Sequence, residues 1–572
     1  MQNNLFEDQS LEQIAAEKKT WEAEAGVAPG APNAAPDIPG AAPGTPVAKR
    51  THSGLGVDPL YTPADIPDFQ YQRDLGFPGR PPYSRGIYPL MYREQPWTFR
   101  QLAGYGSAEE TNERYRFLIA NGATGINGVF DYPTLRGFNS DHPAAEGDVG
   151  QGGVAIDSVE DMHLLFKDIP IDQISVSLVV CNPIMAVSVF AMYLAMARER
   201  GIPWEKLRGT NQNDFLMETV VTTAPNILQP SFSFKLSTDI VEFCTREVPG
   251  WHPISYTGYN YRESGVSAVQ EVAMVMAHAA ATIEEMLQRG YHVDDFAPRL
   301  SFFFSADSDL FEEIAKYRAA RRIWYKMISG KYGAKKVKSQ VLRYHVQTSG
   351  ASLTAQQPLN NVTRSAFQAL AAVLGGAQSL HVNAFDEALA IPTEEAAIVA
   401  LRTQQIILHE TNAANTIDPL GGSYFIEHLT DELERRIYAY IDDIQQQGGI
   451  VAAVENGWLQ NEIARAAHEH YMDVEAGRRK VVGVNCFRSE KEPEIEIFRA
   501  PDMRARLVER IKKVKAARDP AAAANSLQQV QQACQQGGNV FPAVLDAVQN
   551  RVTLGEISDI FRDHQGGWRL AL

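Results

Sequence analysis

Arginine and aromatic side chains crowd one stretch of the sequence, residues 85–105, which proline and glycine interrupt. Its chemically distinctive members are Arg85, Tyr88, Tyr92, Arg93, Trp97 and Arg100. Because a guanidinium group forks onto phosphate or carboxylate oxygens, this mixture suits an extended segment that binds a long anionic ligand better than it suits a core helix. An irregular surface loop with incidental arginines explains the composition equally well, and both interpretations stay open at this point.

Polar residues follow several short apolar runs. These polar tips are residues 131–134, 210–214, 258–260, 347–350 and 383–387. If the runs are parallel strands, their carboxyl ends meet at one edge, where barrel enzymes carry their active sites. A single tip is more often a helix N-cap, a role that would suit Asp131, Thr134, Asn213 and Asp386. Several tips at one face favour an enzyme over a scaffold.

The composition and the absence of several well-known motifs argue against other functional classes of protein. The formal net charge of −16 argues against a general nucleic-acid binder. The four cysteines lie far apart and form no Cys-x-x-Cys pair, so neither a disulfide framework nor a metal site is predicted. No dinucleotide, Walker-type or nucleophile-elbow motif is present. Without a basic and apolar leader or a long apolar run, the expectation is a cytoplasmic protein that does not contact membranes.

Helix-period patterns alternate with short β-branched runs through the middle of the chain. They predict helices over residues 108–121, 185–200, 267–289, 310–329, 362–374 and 394–411, and strands over 125–130, 174–180, 254–259, 300–305, 341–347 and 380–384. Strand-helix alternation means an α/β fold with a parallel sheet flanked by helices. The count and length favour a closed (β/α)8 TIM barrel over an open sheet.

Two further regions flank the expected barrel. A capping-box sequence at Ser10 opens a helix, and an Ala/Pro-rich extended arm follows it, so residues 1–50 either clasp a partner subunit or form a disordered tail. The barrel is expected over residues 51–415. A mostly helical region is expected over residues 416–572, with a short strand at 481–487.

Many sequence motifs follow one another in the same order as in a known protein family, and the arginine-rich stretch contains the first of them. They begin with Arg-Gly-x-Tyr-x-x-Met-Tyr at Arg85 and Pro-Trp-Thr-x-Arg-Gln at Pro96, and continue at residues 140–143, 153–157, 212–214, 295–303, 318–324, 347–350, 378–381, 383–390, 418–424 and 482–485. Over roughly residues 51–561 the chain resembles the large, catalytic subunit of the methylmalonyl-CoA mutase family. It is most like the branch of isobutyryl-, 2-hydroxyisobutyryl- and pivalyl-CoA mutases.

The resemblance implies a (β/α)8 barrel threaded by coenzyme A, with adenosylcobalamin across one end as the source of radical chemistry. Coenzyme A contacts are implied for Tyr88, Met91, Thr98, Arg100, Arg299, Ser301 and Gln378. Contacts with the cofactor are implied for Phe130, Tyr259, Glu263, Gln347, Asn383 and Glu387, and acyl-pocket positions for Thr210 and Gln212. Glu94 and Gln95 replace the Phe and Arg of the methylmalonyl enzymes, which points to a different grip on the nucleotide end of coenzyme A.

Three departures from the family pattern concern the acyl group. Leu102 and Thr222 replace the Tyr and Arg of the methylmalonyl enzymes, and without that Arg a buried substrate carboxylate would lack a partner. Val129 replaces the Asp that faces the substrate hydroxyl in the hydroxyisobutyryl branch. The pivalyl-CoA/isovaleryl-CoA pair is therefore expected first, with isobutyryl-CoA/butyryl-CoA or 2-hydroxyisobutyryl-CoA as the alternative. A coenzyme A-binding partner subunit with altered chemistry is the distant alternative.

Asn260 stands where the family has a His that donates to the thioester carbonyl. An amide still donates a hydrogen bond but is no general acid, so the expected catalytic set is Asn260, Gln212 and Tyr259 with retained activity. Residues 563–567 lack the spacing of the family's cobalamin-binding motif. A separate small subunit that supplies the lower cobalt ligand is therefore expected. The implied assembly has two large and two small subunits, and a G-protein chaperone is a further implied partner.

Overall fold

Eight short parallel strands pair side by side into a closed ring. The computed structural model describes residues 8–25, 49–221, 228–490 and 495–568. Its strands are β1 (Thr98–Phe99 and Leu102–Ala103), β2 (Gly125–Val129), β3 (Ser175–Val179), β4 (Gly209–Asn211), β5 (Trp251–His252 and Ile254–Thr257), β6 (Leu300–Ala306), β7 (Tyr344–Thr348) and β8 (Ser379–His381). Each strand pairs with the next in sequence, and β8 pairs with the first half of β1. The predicted barrel is confirmed.

Helices surround this ring. In chain order they are α1 (Asp8–Glu24), α2 (Ala108–Ala120), α3 (Tyr132–Leu135), α4 (Val159–Leu165), α5 (Pro183–Glu199), α6 (Pro230–Glu247), α7 (Gly258–Glu263), α8 (Ala268–Gln288), α9 (Val293–Phe296), α10 (Leu310–Tyr325), α11 (Val337–Gln340), α12 (Asn360–Gly375), α13 (Glu394–His409), α14 (Tyr424–Gln446), α15 (Ile450–Glu455), α16 (Trp458–Glu475), α17 (Arg504–Ala517), α18 (Pro520–Gln536), α19 (Phe541–Gln549) and α20 (Leu554–Gln565). Helices α2, α4, α5, α6, α8, α10, α12 and α13 follow the eight strands in turn.

Short irregular helical turns complete the described secondary structure. The 3-10 turns are Pro63–Asp65, Met91–Arg93, Pro143–Ala145, Trp204–Lys206 and Ala297–Arg299, and the π-helical turns are Tyr71–Leu75, Met217–Val221 and Lys326–Lys331.

Two hydrophobic cores lie outside the strand ring, between strands and helices. One core joins β5–β8 and helices α8, α10 and α12 to α14–α16, through buried residues such as Leu433 and Ile437. The other joins β2, β3 and α5 to α18–α20, through residues such as Val530 and Phe541. The helical region after the barrel therefore extends both cores, because its apolar side chains pack directly on barrel helices.

Three expectations for the flanking segments have different outcomes. Residues 481–487 form no strand: Val482 and Cys486 make a single bridge that closes a turn, and Gly483 there has φ +85°. Helix α1 already includes Asp8, so Ser10 lies inside the helix and is not its N-cap. The predicted Ala/Pro-rich arm, residues 26–45, lies outside the described residues.

Candidate active site

The inside of the strand ring is hollow and polar. Strands alternate their side chains, and the outward set supplies the two hydrophobic cores. The inward set includes six small hydroxyl residues that line a single cavity open to solvent: Thr98, Ser175, Thr210, Ser255, Ser301 and Ser379. Barrel interiors are ordinarily filled by bulky branched residues. Small side chains here leave room for a ligand inside the amino-terminal part of the ring.

Four arginines stand at the amino-terminal end of this cavity: Arg100, Arg208, Arg299 and Arg343. The Arg100 side chain is only 8% exposed, and its Nε has no hydrogen-bond partner, while its Nη2 donates to Ser175 Oγ. Burial lowers the pKa of Arg100 to about 10. Burial, followed by repulsion from Arg343 and Arg208, lowers the pKa of Arg299. A polyanionic ligand would relieve both costs.

The positive charge of these arginines also affects His252, an imidazole that lines the same cavity. Burial, then repulsion from Arg343, Arg299 and Arg100, lowers the pKa of His252 to about 3. His252 Nδ1 lies 3.0 Å from the carbonyl oxygen of Arg299. His252 is therefore neutral at physiological pH, and the arginines carry the positive charge of this end of the cavity.

A hydrogen-bonded amide network lies at the opposite, carboxyl-terminal end of the strands. Gln347 Nε2 donates to Tyr259 Oη and to Asn383 Oδ1, both at 2.9 Å. Asn383 Nδ2 donates to the Thr348 carbonyl at 2.7 Å. The Tyr259 ring stacks on Phe303 with the ring centroids 5.1 Å apart. Each polar group is held by strand ends, so the network is preorganised before a ligand binds.

Two carboxyl groups beside this network keep their protons to unusually high pH. Burial raises the pKa of Glu263 to about 8 and that of Glu387 to about 7. Glu263 Oε2 accepts a hydrogen bond from the Ala351 amide, whereas its Oε1 is buried without a partner. A neutral carboxyl group can donate a hydrogen bond to a ligand, as an ionised one cannot.

Gly350 opens a space at the centre of these groups. A Cβ atom there would lie 3.1 Å from Asn383 Nδ2, 3.1 Å from Glu263 Oε2 and 3.3 Å from Tyr259 Oη. A glycine therefore keeps the carboxyl-terminal face clear, and the groups around it are free to contact a ligand with many polar edges.

Gln212 and Asn260 meet at the same end, inside the ring. Gln212 Nε2 donates to Asn260 Oδ1 at 3.1 Å, which fixes the amide so that its Nδ2 is the free donor. Asp214 holds the turn that carries Asn260, because it accepts from the Thr257 amide at 2.7 Å and from Tyr261 Oη at 2.8 Å. Residues that follow β4 and β5 together therefore position the Asn260 Nδ2 donor.

Leu102 and Val129 face the inside of the ring. Leu102 is paired in register with Asn127, and Val129 lies two residues further along the same strand, so all three share one face. Neither apolar side chain belongs to the two large cores. Thr222, the third predicted acyl-pocket residue, lies outside the described residues.

The structure separates some residues that were predicted to act together. Thr210, a predicted acyl-pocket residue, lines the same cavity as the arginines, with its Oγ1 3.4 Å from Ser301 Oγ. Tyr88 packs beside Tyr83 and Val341, away from the main cavity. Met91 lines a smaller neighbouring cavity of about 360 Å³. Phe130 is 1% exposed within a hydrophobic core and presents no ring surface at the carboxyl-terminal face.

Arg208 and Arg343 were not predicted, although the sequence contains a signal for them. Arg208, Arg299 and Arg343 each occupy the position directly before a strand, at the start of β4, β6 and β7. The amino ends of parallel strands meet at one edge, so arginines at this repeated position converge. His345 was missed as well: it lines the same cavity with its Nε2 unpartnered, and burial keeps its pKa well below the ordinary value.

Within the described residues there is no group of three or more His, Cys, Asp or Glu side chains that could hold a metal ion. In the same part of the chain, every helix is too short or too polar to cross a membrane.

A hollow barrel with arginines at one end and oriented amides at the other defines a barrel enzyme for a long ligand with several negative charges. The sequence model of the methylmalonyl-CoA mutase family matches residues 50–567. The 2-hydroxyisobutanoyl-CoA mutase large subunit of Aquincola tertiaricarbonis is 42% identical over 571 residues, which are 99% of each chain. The methylmalonyl-CoA mutase of Escherichia coli (strain K12) is 42% identical over 89% of this chain and 71% of its own.

The mitochondrial methylmalonyl-CoA mutase of Homo sapiens is 40% identical over 91% of this chain and 69% of its own. The chain therefore belongs to the methylmalonyl-CoA mutase family, and it is an acyl-CoA mutase, an isomerase. The resemblance given by the motifs is confirmed.

Proposed function

We propose that this chain binds an acyl-CoA along the inside of its barrel and isomerises the acyl group at the carboxyl-terminal face. The observation that carries the proposal is the polarity of the channel along its axis. Four guanidinium groups mark one end, hydroxyl groups line the middle, and the Gln212–Asn260 pair stands at the other. Strand β6, with seven residues, spans roughly 23 Å at ~3.3 Å per residue, a length that an extended pantetheine arm matches.

Adenosylcobalamin fits the carboxyl-terminal face. Its periphery carries amides and its adenosyl group carries hydroxyls, and both can pair with Tyr259, Glu263, Gln347, Asn383 and Glu387. The unpartnered Glu263 Oε1 and the space over Gly350 support this fit. The chemistry that this cofactor supplies when bound is reversible radical hydrogen transfer. The residues of this chain contribute binding, orientation and the exclusion of water.

Asn260 is the proposed donor to the thioester carbonyl. Its Oδ1 is occupied by Gln212, so Nδ2 is directed to the ligand. Asn260→Ala removes this donor and should lower kcat by about tenfold to a hundredfold, with a smaller change in KM. Asn260→His restores a hydrogen-bond donor on a side chain of different length. Its activity should lie between those of the wild type and Asn260→Ala. Wild-type turnover by Asn260→Ala would show that the amide is not a catalytic residue.

A branched apolar acyl group is the proposed substrate class, with pivalyl-CoA and isovaleryl-CoA favoured. Leu102 and Val129 themselves offer neither a charge nor a hydrogen-bonding group to a free carboxylate or hydroxyl, so they favour an apolar acyl group. Isobutyryl-CoA and butyryl-CoA are the second pair. The name of the Aquincola relative favours 2-hydroxyisobutanoyl-CoA instead, which makes this thioester the necessary competitor in any assay.

A cobalamin-binding small subunit is the proposed partner. The Aquincola relative that aligns over 99% of both chains is named a large subunit, which supports a companion chain here. The decisive experiment combines this chain, a small subunit and adenosylcobalamin with a panel of acyl-CoA thioesters. Isomerisation of the branched apolar thioesters with the highest kcat/KM is expected. Preference for methylmalonyl-CoA or 2-hydroxyisobutanoyl-CoA would overturn the substrate proposal, and coenzyme A binding without any turnover would favour a non-catalytic partner subunit.

A further inference from the structure

The four arginines of the channel have no acidic partners. Within the described ranges, none of Arg100, Arg208, Arg299 and Arg343 forms an ion pair, although the protein carries 69 acidic residues against 53 basic ones. Their recorded hydrogen bonds go to serine or to main-chain carbonyl oxygens. An uncompensated cluster of this size is costly without a ligand, because each guanidinium repels the others. The cluster therefore indicates a ligand with several negative charges.

The solvent exposure of these guanidinium groups increases from the inside of the barrel to its mouth. Arg100 is buried, Arg299 and Arg343 are half-buried, and Arg208 is exposed. Both recorded hydrogen bonds of Arg208 use Nη1, which donates to the Glu205 carbonyl at 2.6 Å and to the Leu207 carbonyl at 3.0 Å. A side chain at position 250 would overlap Arg208 Nη1, so Gly250 leaves room for this guanidinium. Arg208 is thus held by the main chain at the mouth, with Nε and Nη2 left for a ligand.

We propose that Arg208 binds the 3′-phosphate of coenzyme A and makes the channel selective for the 3′-phosphorylated nucleotide. The inference rests on the proposed function, in which the thioester reaches Asn260. The pantetheine arm then fills the hydroxyl-lined middle, and the diphosphate meets the three inner arginines. The 3′-phosphate is the remaining anionic group, and it lies on the ribose beyond the diphosphate. The outermost guanidinium is the one placed to form a forked, charge-assisted pair with it.

The test is calorimetric binding of coenzyme A and of 3′-dephospho-coenzyme A to the full chain. Wild-type protein should bind coenzyme A about tenfold to a hundredfold more tightly than the dephospho form, the range for charge-assisted hydrogen bonds. Arg208→Gln should bring the ratio of the two affinities close to one, because it weakens the binding of coenzyme A and leaves that of the dephospho form unchanged. Arg208→Lys keeps a point charge and should retain part of the ratio. Arg299→Gln should weaken both ligands and leave the ratio near its wild-type value.

Arg435→Gln is the matched control, because Arg435 is exposed on α14 and paired with Glu432 far from the channel. It should change neither affinity. A ratio that survives Arg208→Gln, or equal weakening of both ligands, overturns the role of Arg208 while leaving the channel intact. Failure of the wild-type chain to bind coenzyme A at all overturns the proposed function itself. Binding needs no cofactor or turnover, so the two failures are distinguishable.

Discussion

Glu263→Gln should stabilise the protein, and more so at alkaline pH. Burial raises the Glu263 pKa from 4.5 to about 8. The unfolded chain releases this proton near pH 4.5 and the folded protein only near pH 8, so the carboxyl group lowers the free energy of unfolding progressively as pH rises between these values. At ~1.36 kcal/mol per pH unit, the destabilisation grows by ~2.5 kcal/mol between about pH 6 and about pH 8.5. Glutamine carries no charge and keeps an oxygen for the Ala351 amide.

Urea unfolding of wild type and Glu263→Gln at these two pH values measures the effect. The difference in unfolding free energy between the proteins should increase by about 2.5 kcal/mol from the lower pH to the higher. Glu509→Gln is the control, since Glu509 is fully exposed, and its pKa is lowered by the hydrogen bond from Lys512. That variant should show no increase over the same interval. An unchanged difference for Glu263→Gln would refute a protonated Glu263 at the carboxyl-terminal face.

Three further substitutions test separate parts of the barrel. Leu102→Phe adds volume at the acyl end and should shift the ratio of kcat/KM toward smaller acyl-CoA thioesters by about tenfold; an unchanged ratio on a thioester panel would place Leu102 outside the pocket. Gly350→Ala puts a methyl group against Asn383 and Glu263, so it should raise the Kd for adenosylcobalamin while coenzyme A affinity, the internal control, stays constant. Lys316→Met removes the cation shared by the buried Glu271 and Glu313, and leaves Glu313 only its longer contact with Arg262; it should lower the free energy of unfolding by about 3 to 5 kcal/mol at neutral pH. Lys331→Met, at an exposed ion pair, should cost below about 1 kcal/mol.

Helices that pack on a hydrophobic core and six of the eight strands of the ring were predictable from the sequence, whereas the short strands β1 and β4 were not. Helix α8 was predicted over residues 267–289 and spans Ala268–Gln288, because Ser267 caps its start and one face is apolar. Strand β4, Gly209–Asn211, escaped prediction since it has no apolar alternation. Residues 481–487 show the opposite error: three valines suggested a strand, but the positive φ of Gly483 turns the chain.

The proposed catalytic end of the barrel could be predicted from motifs, whereas the arginine cluster at the other end became visible only in the fold. Gln212 and Asn260 are 48 residues apart, and only family resemblance placed them together before the hydrogen bond was seen. Arg208 and Arg343 carry no motif of their own. Their convergence depends on strand boundaries, which are the least certain part of any reading of a single sequence. For Phe130 the family resemblance implied a contact with the cofactor, but the fold encloses this side chain in a hydrophobic core.

The open cavity inside the ring contrasts with the extensive packing of the carboxyl-terminal region outside it. A barrel normally gains stability from a packed interior, and small hydroxyl residues forfeit those dispersion contacts. The loss must be offset outside the ring, and there the two cores continue into helices beyond the barrel. Leu433 and Ile437 extend one core, and Val530 and Phe541 extend the other, all fully buried. The packing that the barrel lacks inside the ring is thus found outside it, where the helices beyond the barrel extend both cores.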